Sequence, residues 1–146
     1  PFRQVEDLVI PVPALDRPTL GQIRSRWDWA RRIESNSSPV EEVALVLGTF
    51  LGPEEKWISE EEYARRRGSF PGILGVSQAL WIEEHQDKFP DLKDLLGKVH
   101  IDFPGTVLVV AGGYRLFSCL HSPGGRWFLC WGWPVGLDSL GRVACK

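Results

Sequence analysis

The fold is decided by residues 98–133, which read KVHIDFPGTVLVVAGGYRLFSCLHSPGGRWFLCWGW. Short runs of β-branched and other apolar residues alternate here with turn signals, a pattern that is typical of strands. Gly112-Gly113 signals a two-residue hairpin, and Pro123–Arg126 signals a second turn. The stretch therefore predicts an antiparallel meander with strands over residues 99–103, 106–111, 114–122 and 127–133, followed by a last short strand over 142–145.

Upstream of residue 98, the apolar residues recur mostly at helical spacing. Thr19 is expected to cap a first helix whose apolar stripe runs to Ile33, and Ser38 is expected to cap a second helix that runs to Leu51. Ser59, with Glu62 three residues further on, fits the capping box of a third helix. Two more helices are predicted over residues 77–88 and 91–96.

Residues 1–19 contain four prolines, which exclude a continuous helix and predict an extended, proline-rich arm. Its apolar run Leu8–Ile10 fits either an edge strand or a segment laid on a neighbouring chain, and the latter would make a homo-oligomer. We therefore predict an α+β fold. The arm of residues 1–19 precedes a helical region of residues 20–97, which packs into one compact domain with a C-terminal meander or small SH3-like barrel over residues 98–146.

The composition is that of a single globular domain. The 146 residues are 43% hydrophobic and 25% charged, which excludes a disordered chain. No apolar run approaches the roughly 20 residues of a membrane span, and residues 1–7 lack the features of a signal peptide. Three cysteines are too few for a disulfide framework, so we expect a reduced, cytoplasmic protein.

Charge is distributed unevenly along the chain. Residues 39–104 carry seven basic and thirteen acidic side chains, whereas residues 105–146 carry four basic and one acidic. The mildly basic C-terminal third is weaker than the basic stripe of a dedicated nucleic-acid binder. It does not exclude contact with an acidic partner.

A turn at Gly124-Gly125 would place Cys119 directly opposite Cys130, with His121 on the same face. Directly opposed Cβ atoms lie about 4.5–5.5 Å apart, close to the reach of a disulfide. The three residues then form a redox switch or contribute to a metal site, or the cysteines are simply small apolar side chains in a core. No Cys-x-x-Cys or His-x-x-x-His pair of the kind found in zinc sites occurs, and no cofactor is predicted.

Alternation along the last long strand puts Trp127, Trp131 and Trp133 on one face of the meander. A two-residue turn at Gly112-Gly113 would pair Val109 with Leu116 and add both to that face. Both faces of the meander are apolar, so either the sheet is covered on both sides or one face binds a partner.

Exposed tryptophans beside Arg115 and Arg126 would suit stacking of nucleic-acid bases or binding of a proline-rich ligand. Buried tryptophans would belong to the core instead. We expect at least one of Trp127, Trp131 and Trp133 to reach the surface.

The first predicted helix carries a second candidate surface. Trp29 and Arg32 lie off its apolar stripe, together with Arg24, Arg26 and Arg31. Such a flank can contact phosphates, and Trp29 can anchor a partner. The alternative is an ordinary solvated helix face.

No catalytic residue is predicted. Glu83, Glu84 and His85 are adjacent, so they point in different directions around a helix. An enzyme would need a pocket that joins His100 or His121 to Cys119 and a carboxylate.

Several stretches of the chain resemble uncharacterised bacterial proteins from the genomes of uncultured lineages. The resemblance covers roughly residues 39–146 and implies a bacterial origin, but it implies no activity and no site residue. It is carried by Leu47–Leu51, Ser69–Val76, Glu83–Pro90, Ile101–Val107, and Gly125–Trp127 with Trp131 and Trp133.

We therefore expect a non-enzymatic module that binds another macromolecule, a protein rather than a nucleic acid. Single-stranded nucleic acid bound through the aromatic and basic face is the first alternative. A small enzyme, or a redox or metal protein that uses Cys119, Cys130 and His121, is the second. The candidate binding residues are Trp29, Arg32, Arg115, Arg126, Trp127, Trp131 and Trp133.

Overall fold

A seven-stranded, mostly antiparallel sheet extends through the whole chain. A computed structural model describes residues 1–146. In chain order the strands are β1 (Arg3–Val12), β2 (Ala30–Asn36), β3 (Val43–Thr49), β4 (Trp57–Ile58), β5 (His100–Val110), β6 (Arg115–His121), β7 (Phe128–Gly132), β8 (Leu137–Asp138) and β9 (Gly141–Cys145). The helices are α1 (Leu20–Arg26), α2 (Glu60–Gly68), α3 (Val76–His85) and α4 (Pro90–Lys93). The predicted α+β class is confirmed in this form.

The sheet is open. Its strands are ordered β1-β3-β9-β5-β6-β7, and β2 pairs with β5 beside this path. Only β5 and β9 run parallel, and β4 and β8 form a separate two-stranded sheet. The predicted SH3-like barrel is wrong, because the sheet does not close. Strands β1, β2 and β7 each pair on one side only, and no hydrogen-bonded ladder joins β1 to β7.

Strand β5 bends in its middle and changes partners there. Its register against β6 shifts between Phe103 and Val107, so the first half pairs with β9 and the second half with β2. The segment before α3 packs into this bend, where Gly105 donates its N–H to the Leu74 carbonyl at 2.8 Å. A Cβ on Gly75 would overlap the Ser38 hydroxyl, so this close approach requires glycine.

Each face of the sheet has its own core. Helix α3 packs through Val76, Ala79 and Ile82 over the larger core, which includes Phe103 and Trp127. Helix α2 and the β4–β8 pair cover a smaller core on the opposite face. Its buried members include Phe50, Ile58, Tyr63, Phe117, Leu137 and Val143.

The first predicted helix is wrong in its second half, and the second predicted helix is wrong throughout. Helix α1 ends at Arg26, and residues 30–36 form β2, because the far half of β5 offers a pairing partner that no local pattern reveals. Residues 43–49 form the central strand β3. Val43, Leu45 and Leu47 are buried and Ala44 is exposed, but every position of residues 43–47 is apolar, and such a run also matches helical spacing.

The remaining elements follow the sequence more closely. The predicted helix after Ser59 is α2, and the Ser59 hydroxyl accepts the N–H of Glu62 at 3.2 Å. Helices α3 and α4 and strands β6, β7 and β9 are also where the pattern predicted them, within a few residues. Residues 3–12 of the proline-rich segment form the edge strand β1, one of the two expected alternatives. A homo-oligomer through residues 1–19 stays a prediction.

The turn between β5 and β6 corrects the predicted tryptophan face. It is a three-residue turn, Ala111–Gly113, with both glycines at positive φ, and the Val110 N–H closes it on the Tyr114 carbonyl at 2.9 Å. The longer turn moves the register by one residue, so Leu108 lies opposite Leu116 and Val109 lies opposite Arg115. The predicted pairing of Val109 with Leu116 is therefore wrong.

None of the helices combines the length and the apolar character that crossing a membrane requires.

Candidate functional site

Exposed aromatic side chains gather at one end of the sheet. Trp29 precedes the first residue of β2, Tyr114 follows the β5–β6 turn, and Trp133 follows the last residue of β7. Their residues are 41%, 59% and 57% exposed, respectively. The pairing of β2, β5, β6 and β7 brings these positions to the same end of the sheet, which we call the aromatic end.

Three edge-to-face contacts hold the rings at the aromatic end. The rings of Tyr114 and Trp133 are 5.3 Å apart at 80°. Trp131, half-buried, contacts Trp29 at 6.5 Å and Trp27 at 5.5 Å, both nearly perpendicular. Trp131 thus connects Trp29 to the core, while Tyr114 and Trp133 hold each other in place on the surface. The sequence reasoning missed Tyr114, although an aromatic residue directly after a Gly-Gly turn is a signal for it.

Trp127 is part of the core and not of this surface. It is 1% exposed, and its indole Nε1 donates to the Leu92 carbonyl at 3.2 Å. The Gln86 side chain accepts the Trp127 backbone N–H at 2.7 Å. Of the three tryptophans predicted on one face, Trp133 is the one that is exposed. This confirms the prediction that at least one of the three reaches the surface.

The candidate arginines do not form one basic patch. Arg115 forms an ion pair with Glu34 at 2.7 Å. Arg126 pairs with Asp87 at 3.1 Å and lies in the β6–β7 turn, at the other end of the sheet from Trp133. Seven residues of nearly extended chain separate the two positions, or about 20 Å. Arg32 is exposed on β2 and makes no ion pair.

Cys119 and Cys130 lie directly opposite each other on β6 and β7, as the turn at Gly124-Gly125 predicted. Their sulfur atoms are 2.7 Å apart, and both cysteines are free thiols. Cys119 is buried and Cys130 is half-buried. The two thiols are within hydrogen-bond distance, and either sulfur can be the donor. This contact lowers the pKa of Cys130 and, with burial, raises the pKa of Cys119.

A buried carboxylate lies next to the cysteine pair. Asp102 on β5 is directly opposite Cys119, and its Oδ2 accepts the Tyr63 hydroxyl of α2 at 2.7 Å. Burial raises the pKa of Asp102, and the Tyr63 hydrogen bond partly offsets the effect. Neither residue was predicted, although an aspartate inside the apolar run Ile101–Phe103 is a signal for a satisfied buried acid.

His100 and His121 form no hydrogen bond with either cysteine, although the charge of His100 is near enough to lower the pKa of Asp102 slightly against the effect of burial. His121 and His100 line a shallow cavity of about 270 Å³ whose walls include neither Cys119 nor a carboxylate. No group of three or more histidine, cysteine or acidic side chains is arranged to hold a metal ion. The pocket that an enzyme would need, joining a histidine to Cys119 and an acid, is not formed by this cavity.

No protein-family model, curated protein or solved structure matches the chain. The resemblance to uncharacterised bacterial proteins stays a prediction, and function must be inferred from the geometry of the chain itself.

Proposed function

We propose that this chain is a protein-binding module whose aromatic end holds an extended, proline-containing segment of a partner. The observation that carries the proposal is the exposed Tyr114–Trp133 edge-to-face pair beside Trp29. Two exposed rings that hold each other at a right angle present an apolar surface of fixed geometry, and aromatic surfaces bind polyproline II segments at low entropic cost.

The charges around the aromatic end favour a protein over a nucleic acid. Arg115 is neutralised by Glu34, and Arg126 lies at the opposite end of the sheet. Arg31 and Arg32, both exposed on β2 next to Trp29, make no ion pair. Single-stranded nucleic acids are bound by aromatic platforms combined with a positively charged groove, and two neighbouring arginines do not make one.

We also propose that the protein is cytoplasmic. The proposal is supported by its three free cysteines, because free cysteines are typical of proteins from reducing compartments.

The proposal is tested by titrating a fluorescein-labelled peptide of repeated Pro-x-x-Pro units with the purified protein and following fluorescence anisotropy. We expect saturable binding that Trp133→Ala and Tyr114→Ala each weaken by about tenfold or more, as truncation of an aromatic anchor usually does. The matched control is Trp57→Ala. Trp57 is a 64% exposed tryptophan on β4, in the separate two-stranded sheet, and its ring contacts none of the rings of the aromatic end, so its removal should leave the affinity unchanged.

A labelled mixed-sequence single strand, as RNA and as DNA, is titrated in parallel at low and moderate salt. We expect no binding that depends on Trp133. Binding that falls steeply with salt and is lost in Trp133→Ala would instead make the aromatic end a nucleic-acid surface. Absence of peptide binding, or equal loss in Trp57→Ala, would contradict the proposal.

A further inference from the structure

We propose that Cys119 and Cys130 form a reversible dithiol–disulfide couple, oxidised and reduced by exchange with low-molecular-weight disulfides and thiols. The couple would be a covalent modification site across β6 and β7. It does not depend on the binding of any partner at the aromatic end.

The backbone already places the two residues at disulfide distance. Directly opposed residues of antiparallel strands have Cα atoms about 4.5–5.5 Å apart, within the range that disulfides span. The two sulfur atoms are 2.7 Å apart, so bond formation requires little movement of either strand. The pairing on both sides is regular, with Ser118 opposite Trp131 and Leu120 opposite Leu129.

A small disulfide can reach the pair from the edge of the sheet. Strand β7 is an edge strand, and Cys130 on it is half-buried between exposed Phe128 and Gly132. Gly132 has no side chain, and a Cβ there would lie 3.5 Å from the Cys119 sulfur. The sulfurs are therefore not shielded by a side chain at this position.

The different surroundings of the two thiols decide which of them attacks first in the exchange. Cys130 is the more accessible of the two residues, and its contact with Cys119 lowers the pKa of its thiol, so Cys130 is the attacking nucleophile. Cys119, buried and held as a thiol, is the resolving residue. Cys145 is fully buried, and burial raises the pKa of its thiol to about 12, so it is excluded from the exchange.

Oxidation then proceeds in two exchange steps. The Cys130 thiolate attacks one sulfur of the small disulfide, which forms a mixed disulfide and releases one small thiolate. The Cys119 sulfur, giving up its proton, attacks the Cys130 sulfur, which forms the Cys119–Cys130 bond and releases the second small thiolate. The two protein thiols lose two electrons and two protons, and the small disulfide gains them as two thiols.

The test equilibrates the purified protein with graded ratios of oxidised to reduced glutathione, quenches it with acid, and alkylates it with iodoacetamide after denaturation. Intact mass then counts the free thiols. We expect the fully alkylated form, with three labels, to convert to a form with one label as the ratio rises, and peptide mapping to place that label on Cys145. The matched control Cys145→Ala should convert from two labels to none over the same range of ratios.

Three results would overturn the proposal. The first is retention of three labels at every ratio. The second is a stable glutathione adduct on Cys130 without closure to Cys119. The third is a disulfide-linked dimer on a non-reducing gel. Cys119→Ser is expected to show the adduct on Cys130, since the resolving thiol is then missing, and this separates failure of attack from failure of closure.

Discussion

The Tyr63 hydroxyl donates a 2.7 Å hydrogen bond to Asp102, whose carboxylate is buried between α2 and the sheet. The guanidinium of Arg67 lies over the Tyr63 ring, 4.6 Å from its centre. A carboxylate in this position needs its donor, because a buried polar group without a partner is costly.

We therefore expect Tyr63→Phe to lower the free energy of unfolding by about 1–3 kcal/mol, measured by urea denaturation. Tyr114→Phe is the control, since the exposed Tyr114 hydroxyl makes no hydrogen bond within the protein, and its effect should stay within about 0.5 kcal/mol. An unchanged midpoint in Tyr63→Phe would show that Asp102 does not depend on this donor.

Trp127 and Trp133 are expected to differ in how much each contributes to the stability of the fold. Trp127 fills the larger core, and Trp127→Ala should cost about 3–5 kcal/mol of stability through the cavity it leaves. Trp133→Ala removes a side chain from the surface and should change stability by about 0.5 kcal/mol or less. Urea midpoints of the two variants test this directly, and similar losses in both would contradict the assignment of Trp133 to the surface.

At the scale of elements, Arg66 fastens α2 to the segment before it. Its guanidinium contacts Glu55 at 2.6 Å and Glu62 at 2.9 Å, and donates to the Phe50 carbonyl at 2.6 Å. The Arg66 hydrogen bond holds the pKa of Glu55 at about 2, and Arg65, with Arg66, holds that of Glu62 at about 2. The ordinary value is 4.5 for both.

Carboxylates with a lowered pKa in the folded state stabilise the fold above their ordinary pKa, and this stabilisation is lost as the pH falls from about 4.5 towards 2. We expect Glu55→Gln to have a lower urea midpoint than the unmodified protein near neutral pH, and the difference to shrink as the medium is acidified through this window. Added salt should also reduce it, because both carboxylates face solvent. A difference that grows on acidification would contradict this role of Arg66.

The sequence predicted a strand correctly where the strand it pairs with is close by in the chain. Strands β6 and β7 are joined by a short turn, so the position of the turn alone placed Cys119 opposite Cys130. Strand β2 pairs with β5 across more than seventy residues, and no pattern within residues 27–36 encodes that pairing. Strand β3 lies between β1 and β9. Its run Val43–Leu47 is apolar at every position, although Ala44 is exposed, so it matches a helix and a strand equally well.

At the scale of the whole molecule, the open sheet explains which candidate residues meet. Trp29 was expected on a helix and Trp133 on a strand, and β2 brings the two to the same end of the sheet. Arg126 was grouped with Trp133 because the two are close in sequence, but they lie before and after strand β7, at opposite ends of the sheet. The position of Tyr114 directly after the Gly112-Gly113 turn signals an exposed aromatic residue, but its neighbours depend on the conformation of that turn, because one extra turn residue shifts the register of the two strands.

The central claim is that the aromatic end holds a proline-containing segment. The most direct measurement is a titration of the ¹⁵N-labelled protein with an unlabelled Pro-x-x-Pro repeat peptide, in which the indole N–H signals of the seven tryptophans are followed by two-dimensional NMR. We predict that the Trp133 and Trp29 indole signals shift and saturate together, while those of Trp57 and Trp127 stay in place. Indole signals that all remain unmoved, or a shift confined to Trp57, would contradict the claim.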